Sequence, residues 1–134
     1  MSLVLASASA SRAALLKAAG VTFITDPADL DEDALMAELR GADAQTVAST
    51  LAQQKALHVS ARHPGAVVLG GDSVIGFGGD HLSKCATLAE AKALLRRLSG
   101  QAHLLVSAAA LAKDGALLWT HSSPCRMTMR DLGP

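Results

Sequence analysis

Three short apolar runs, Leu3–Ala6, Val21–Thr25 and Ala66–Gly70, are separated by stretches with helical patterning. Runs this brief fit buried strands better than helices, which need ten or more residues to bury a face. Strands alternating with helices require a sheet with helices packed on it, so the first half constrains the fold to the α/β class. The punctuation agrees. Ser11 to Ala19 reads as a helix closed by Gly20, the usual residue just past a helix end. Pro27 to Asp33 is an acidic loop before a short helix near Ala34 to Arg40, and Asp43 caps a longer helix to about Arg62 that His63-Pro64-Gly65 ends. The third run passes through Gly71-Asp72 into Ser73-Val74-Ile75, and Gly76, Gly78 and Gly79 make a turn.

The second half is patterned differently. Thr87-Leu88-Ala89-Glu90 is a capping box that starts a helix ending at Ser99-Gly100. His103 to Ala112, Lys113-Asp114-Gly115 and Ala116 to Thr120 read as a hairpin, because Asp-Gly favours the tight turns that join antiparallel strands. Ser122 to Arg130 reads as a further strand. Parallel-type alternation followed by a hairpin predicts a mixed twisted sheet flanked by helices, in a single domain of 134 residues. With Phe23, Phe77 and Trp119 as its only aromatics, the chain must build its core from Ala, Val and Leu.

Composition then excludes several classes of function. Twelve basic and twelve acidic residues cancel, which gives no field to attract nucleic acid or a membrane surface. Cys85 and Cys125 are too few for a disulfide framework. The five histidines are scattered and no pair has zinc spacing. No apolar run is long enough to span a bilayer, and the start lacks the basic flank and apolar stretch of a secretory signal, so cytoplasm is the expected compartment.

Three places carry the residue types that phosphate chemistry needs. A serine-rich loop, Ser7-Ala8-Ser9-Ala10-Ser11, leads into the first helix with Arg12 in its first turn. A helix N-terminus disfavours a cation there unless an anion binds, and small residues let one approach. Asp72 follows an apolar run and two glycines, so it should lie at the end of a buried strand, where open α/β sheets bind ligands. A carboxylate there can hold a divalent cation or take a proton from water. Lys55 falls inside the apolar stripe formed by Val47, Ala48, Leu51, Ala52, Ala56 and Val59, and Lys84 follows the glycine turn. Asp31 and Glu32 lie in the acidic loop. Taken singly, each also fits a bland explanation: a capped helix, a turn aspartate, a snorkelling or solvated lysine, a helix-start charge.

Their order is more specific. The chain reads L-A-S-A-S-A-S-R, then D-L-D-E, V-A-S-T-L-A-Q-Q-K-A, V-V-L-G-G-D-S-V-I, G-G-D-H-L-S-K and L-L-R-R-L-S-G-Q-A-H. Six blocks in this order resemble the Maf family along the whole chain. That resemblance implies an inosine triphosphatase-like mixed α/β fold with a deep substrate cleft. It also implies Mg²⁺- or Mn²⁺-dependent hydrolysis of nucleoside triphosphates, canonical or modified, to the monophosphate and pyrophosphate. On this pattern Ser7, Ser9 and Arg12 fall on the phosphate-binding loop, and Lys55 and Lys84 on the cleft lysines. Glu32 falls on an acidic residue that helps hold metal, and Asp72 on the proton acceptor, also beside the metal. The alternative implied by the same loop is a nucleotide- or phosphate-binding regulator without turnover.

The chain departs from the usual pattern at Ala10-Ser11, Ser73, Cys85 and Ser107-Ala108, and the first two departures touch positions expected to influence base preference. The family pattern also runs on past Pro134, through another helix, a glycine-rich segment and a last strand pair. Residues 1–134 are therefore expected to be a Maf-like domain whose C-terminal portion is missing. Exposed sheet edges would follow, and they would favour pairing into a homodimer.

Overall fold

The computed structural model describes residues 2–78, 80–82, 85 and 87–133. Its elements run β1 (Leu3–Leu5), α1 (Ala10–Ala18), β2 (Ile24–Thr25), α2 (Glu32–Glu38), α3 (Ala44–Ser60), β3 (Val67–Phe77), β4 (Asp80–Leu82), α4 (Leu88–Leu98), β5 (Ala102–Lys113) and β6 (Ala116–Thr128). The sheet order is β2-β1-β3-β5-β6, with β4 also on β3. β1 pairs in parallel with β2 and β3, whereas β3–β5, β5–β6 and β3–β4 are antiparallel. This is the mixed sheet the alternation and the hairpin predict. Among the described residues, no helix is long and apolar enough to cross a membrane.

One helix builds most of the core. The stripe of α3 buries Val47, Ala48, Leu51, Ala52, Ala56 and Val59 against Val4, Val68, Val74, Val106, Ala108 and Ala110 from three strands. Ala48, Ala52 and Ala56 repeat every four residues, the spacing that aligns one face of a helix. Small side chains there bring the helix backbone close to the sheet. Gly70 answers from β3: a Cβ at that position would lie 2.3 Å from the Ala52 carbonyl oxygen and 2.8 Å from the Ala56 nitrogen. The β5–β6 turn locks the far end of α3. Gly115 N–H donates to Ser60 Oγ at 3.0 Å, and Asp114 Oδ1 accepts from Gly65 N–H at 2.8 Å. Asp114 and Gly115 both have positive φ, 50° and 79°, as the Asp-Gly signal requires.

Several boundaries differ from the sequence-based expectation, each for a local reason. The strand expected at Val21–Thr25 shrinks to Ile24–Thr25, because Val21 N–H still bonds back to the Leu16 carbonyl and closes α1. α2 starts at Glu32, not Ala34, because Asp31 caps it by accepting from Ala34 N–H at 3.0 Å. Gly76 belongs to β3 and not to the turn. The expected further strand at Ser122–Arg130 is the continuation of β6, a single strand reaching Thr128.

Candidate functional site

β1 stays paired with β3 as far as Leu5 opposite Leu69, and β4 takes up the same edge of β3 from Ile75 onward. Between them, Gly70 to Val74 is flanked by a gap in the sheet. Asp72 sits in that gap. It lies in the middle of β3, not at a strand end as the sequence suggests, because the ladder with β5 continues unbroken past it. The break in pairing on the opposite edge is what opens the strand to a ligand.

Successive residues of a strand face opposite sides, and the two sides of β3 carry different halves of the site. Toward α3, Lys55 Nζ contacts Asp72 Oδ1 at 3.0 Å and Glu32 Oε1 at 2.8 Å. The position of Lys55 within the buried stripe explains this reach: its side chain is only 13% exposed, and that of Asp72 only 12%. On the other side, the missing Cβ of Gly71 leaves room for Arg12, whose Nε and Cδ would lie 3.2 and 3.3 Å from it. The Arg12 guanidinium donates to Ser7 Oγ at 3.3 Å and to Ser73 Oγ at 3.4 Å.

The serine loop is organised for an anion. Ser9 caps α1 by accepting from Arg12 N–H, Ser7 Oγ accepts from Ser9 N–H at 3.0 Å, and the Ser9 and Ser11 hydroxyls are 3.0 Å apart. The first turn of α1 contains no acid, so Arg12 lines the cleft without a carboxylate in that turn. A cavity of about 290 Å³ joins the two halves, lined by Ser7, Ser9, Arg12, Pro27, Glu32 and Lys55. A larger cavity, about 490 Å³, lies further along β3 by Phe77, Leu104 and Arg126. It contains none of these groups.

Burial raises the Asp72 carboxyl above its ordinary range; the Lys55 charge and hydrogen bond and the Arg12 charge pull the other way, and nearby Glu32 adds to the rise. Burial also works against the Lys55 ammonium, but its contacts with Glu32 and Asp72 outweigh that and its pKa is raised. Lys55 therefore stays charged, while Asp72 is a stronger base than an exposed aspartate.

The structure brings Ser7, Ser9, Arg12, Glu32 and Lys55 to one cleft, with Asp72 buried beside it on Lys55. Lys84 lies outside the described residues. Sequence reasoning missed Ser73 and Gly71 as the seat of Arg12; a glycine pair inside a strand pattern is the signal for close approach. It also missed the clamp beneath the loop that leads to Glu32. There Asp26 bonds His63 at 2.7 Å and Arg62 at 3.1 Å, and Arg62 donates to the Pro27 carbonyl at 2.9 Å.

Glu32 and Asp72 are hard oxygen donors on one nitrogen, the set that a small divalent cation takes together with substrate phosphates. Among the described residues, no group of three or more His, Cys, Asp or Glu converges. The donors fit a cation that finds its remaining ligands on the substrate.

The chain is thus a layered α/β domain with a cleft at a gap in its mixed sheet, and comparison with known proteins narrows the class. The family described as "Maf-like protein" matches residues 2–134, and the chain belongs to it. It is 48% identical over 132 residues to the 7-methyl-GTP pyrophosphatase of Brucella abortus biovar 1 (strain 9-941), a match covering 97% of this chain and 66% of that protein. It is 42% identical over 135 residues to the nucleoside triphosphate pyrophosphatase of Sphingopyxis alaskensis (strain DSM 13593 / LMG 18877 / RB2256), covering 98% and 68%. The chain thus spans about two thirds of the length of these curated relatives. Among solved structures, a HAM1 protein from Coxiella burnetii superposes with a TM-score of 0.59 at 22% identity, over 96% of this chain and 72% of that one. That likeness supports the fold.

Proposed function

We propose that this chain hydrolyses nucleoside triphosphates to the monophosphate and pyrophosphate, and that 7-methyl-GTP, named for a relative at 48% identity, is among its substrates. The observation that carries the proposal is a buried lysine holding two carboxylates across a cleft from an arginine–serine loop. Phosphoanhydride hydrolysis needs little covalent help from a protein; it needs placed charge and a placed water.

Each residue then has a role. Ser7, Ser9, Arg12 and the start of α1 receive the phosphate chain, and Lys55 and Lys84 add positive charge to it. Glu32 and Asp72 would hold a divalent cation, Mg²⁺ or Mn²⁺, which supplies charge neutralisation when bound. Asp72 orients a water and accepts its proton as the oxygen attacks the α-phosphorus, and pyrophosphate leaves. A raised carboxyl pKa suits a base near neutral pH. The clamp on Asp26 keeps the Pro27 loop, and so the approach to Glu32, in register with α3.

The test is pyrophosphate release from a panel of canonical nucleoside triphosphates and 7-methyl-GTP, with Mg²⁺ or Mn²⁺, in the parent chain and in Asp72→Asn. Loss of the proton acceptor should lower kcat by about 10²- to 10⁴-fold while nucleotide remains bound. Only the ionised carboxylate accepts a proton, so the parent's rate should fall with acid through a pKa above the ordinary aspartate range. Equal turnover in both proteins would remove Asp72 from the chemistry. Binding without turnover in either would identify a nucleotide-binding protein.

A further inference from the structure

We propose that Lys55 is a resident counter-ion that stands in for the divalent cation, so that the metal enters with the nucleotide and not ahead of it. The inference rests on the nucleotide reading above. It deepens that reading from the same contacts: a side chain of the protein itself already neutralises both carboxylates. Lys55 Nζ is 2.8 Å from Glu32 and 3.0 Å from Asp72, with both contacts on one nitrogen. Both carboxylates strengthen the charged form of that lysine. A cation seeking the same two oxygens must displace an ammonium that is nearly buried and held by charge-assisted hydrogen bonds. Such bonds contribute more than neutral ones.

Nucleotide changes the balance. A triphosphate brings several negative charges to the Arg12 side of the cleft, close enough to share a cavity with Lys55. Lys55 then has a second set of partners, and its release toward the phosphates leaves Glu32 and Asp72 with an unneutralised pair of charges. Oxygens of the phosphate chain complete a coordination shell that two carboxylates alone cannot fill. Metal affinity and nucleotide affinity are therefore coupled, and each must strengthen the other by the same factor. Before substrate arrives, Lys55 also compensates the two carboxylates; leaving them unpaired would cost most at Asp72, whose side chain is 12% exposed against 47% for Glu32.

The experiment is a Mn²⁺ titration followed by the electron paramagnetic resonance signal of the free ion, on the whole chain. In the parent, Mn²⁺ should bind weakly alone and at least about tenfold more tightly with a non-hydrolysable α,β-methylene nucleoside triphosphate, the factor that one charge-assisted contact represents. Lys55→Met should bind Mn²⁺ without nucleotide at least about tenfold more tightly than the parent, for the same reason. Lys55→Met combined with Glu32→Gln should lose that gain. Thermal melting gives a second reading, because a ligand that binds only the folded state raises its stability. Mn²⁺ should therefore raise the Tm of Lys55→Met by more than it raises that of the parent.

Parent protein that binds Mn²⁺ equally well with and without the nucleotide analogue would overturn the proposal. So would a folded Lys55→Met that binds Mn²⁺ no better than the parent. If Lys55→Met does not fold, the parent titration still decides. The comparison of Lys55→Met with the parent uses no nucleotide, so its failure is separate from a failure of the pyrophosphatase assay.

Discussion

The two faces of the sheet are built to different standards. Against α3, the sheet meets a row of alanines with the small groove left by Gly70, and Val47, Ala48, Ala52, Ala56 and Val59 are fully buried. On the face that carries Arg12, α1 has no fully buried residue, Leu15 is 70% exposed, and a shallow cavity of about 160 Å³ separates the helix from Leu5, Leu69 and Ala109. α4 buries only Leu98. The candidate site straddles this boundary. Lys55 and Asp72 belong to the tightly packed side, whereas Arg12 and Ser73 belong to the loose one. Close-packed interiors transmit displacement and leave side chains few alternatives. The backbone positions of Lys55 and Asp72 are therefore fixed by the core, whereas Glu32, on a helix with no buried residue, and the arginine–serine half are free to adapt to a ligand.

Gly70 and Gly71 put that contrast to its strongest test, since they are neighbours on one strand and neither has the positive φ that would strain an alanine. Gly70→Ala places a methyl group against the Ala52 and Ala56 backbone at 2.3 and 2.8 Å. Helix backbone cannot step aside alone, so α3 must move as a body and carry Lys55 away from Asp72. We expect a loss of about 3 kcal/mol or more, at or beyond the upper end for overpacked cores, read from the urea midpoint. Turnover should fall even in the fraction that remains folded. A Gly70→Ala protein as stable as the parent would show that α3 is not rigidly seated.

The sequence makes the tight face legible and the loose face much less so. The α3 stripe, with Lys55 inside it, can be read from spacing alone, because a buried helix face repeats its apolar residues. Asp72 is conspicuous as a carboxylate inside an apolar run. Its real setting, mid-strand beside a gap, is not legible, because it depends on where β1 stops and β4 begins on the same edge. Likewise Ser73 is distant from Arg12 in sequence, and only the alternation of β3 brings it onto the same side. The shortfall of β2 against the expected Val21–Thr25 strand has a local cause that composition hides: backbone closure of α1 captures Val21. Non-local pairing and backbone caps decide these points, and neither leaves a residue-type signature of its own.

Gly71→Ala should behave in the opposite sense. The added methyl meets the Arg12 side chain at 3.2–3.3 Å and the Ala108 carbonyl oxygen at an ordinary 3.5 Å, and the flexible arginine can yield by the few tenths of an ångström required. Replacing a glycine whose backbone suits alanine also restricts the unfolded chain, worth about 0.4–1 kcal/mol in favour of folding. Stability should stay level or rise slightly, while Arg12 is pushed from Ser73 and nucleotide KM rises with little change in kcat. A stability loss as large as that of Gly70→Ala would mean that Arg12 is as firmly packed as α3, and the contrast between the faces would fail.

The smallest effect should come at Leu118. The β5–β6 register shifts between Leu111 and Ala112, which pair with Trp119 and Leu117, so Leu118 is the extra residue of a bulge. It has no ladder partner across β5, and it is 57% exposed on the last strand of the sheet order. Leu118→Gln removes no buried contact, and its effect on the urea midpoint should lie within about 0.5 kcal/mol either way, as for surface changes away from special features. An outer strand with exposed Leu118 and Trp119 is also a surface on which copies can associate, so light scattering across a concentration series should accompany the melt. If Leu118→Gln lowers stability by about 2 kcal/mol or more, a value typical of buried leucine, and lowers the apparent mass as well, this side of the sheet is covered in solution by a second copy. Unchanged stability and mass would leave the open side as free as its exposure indicates.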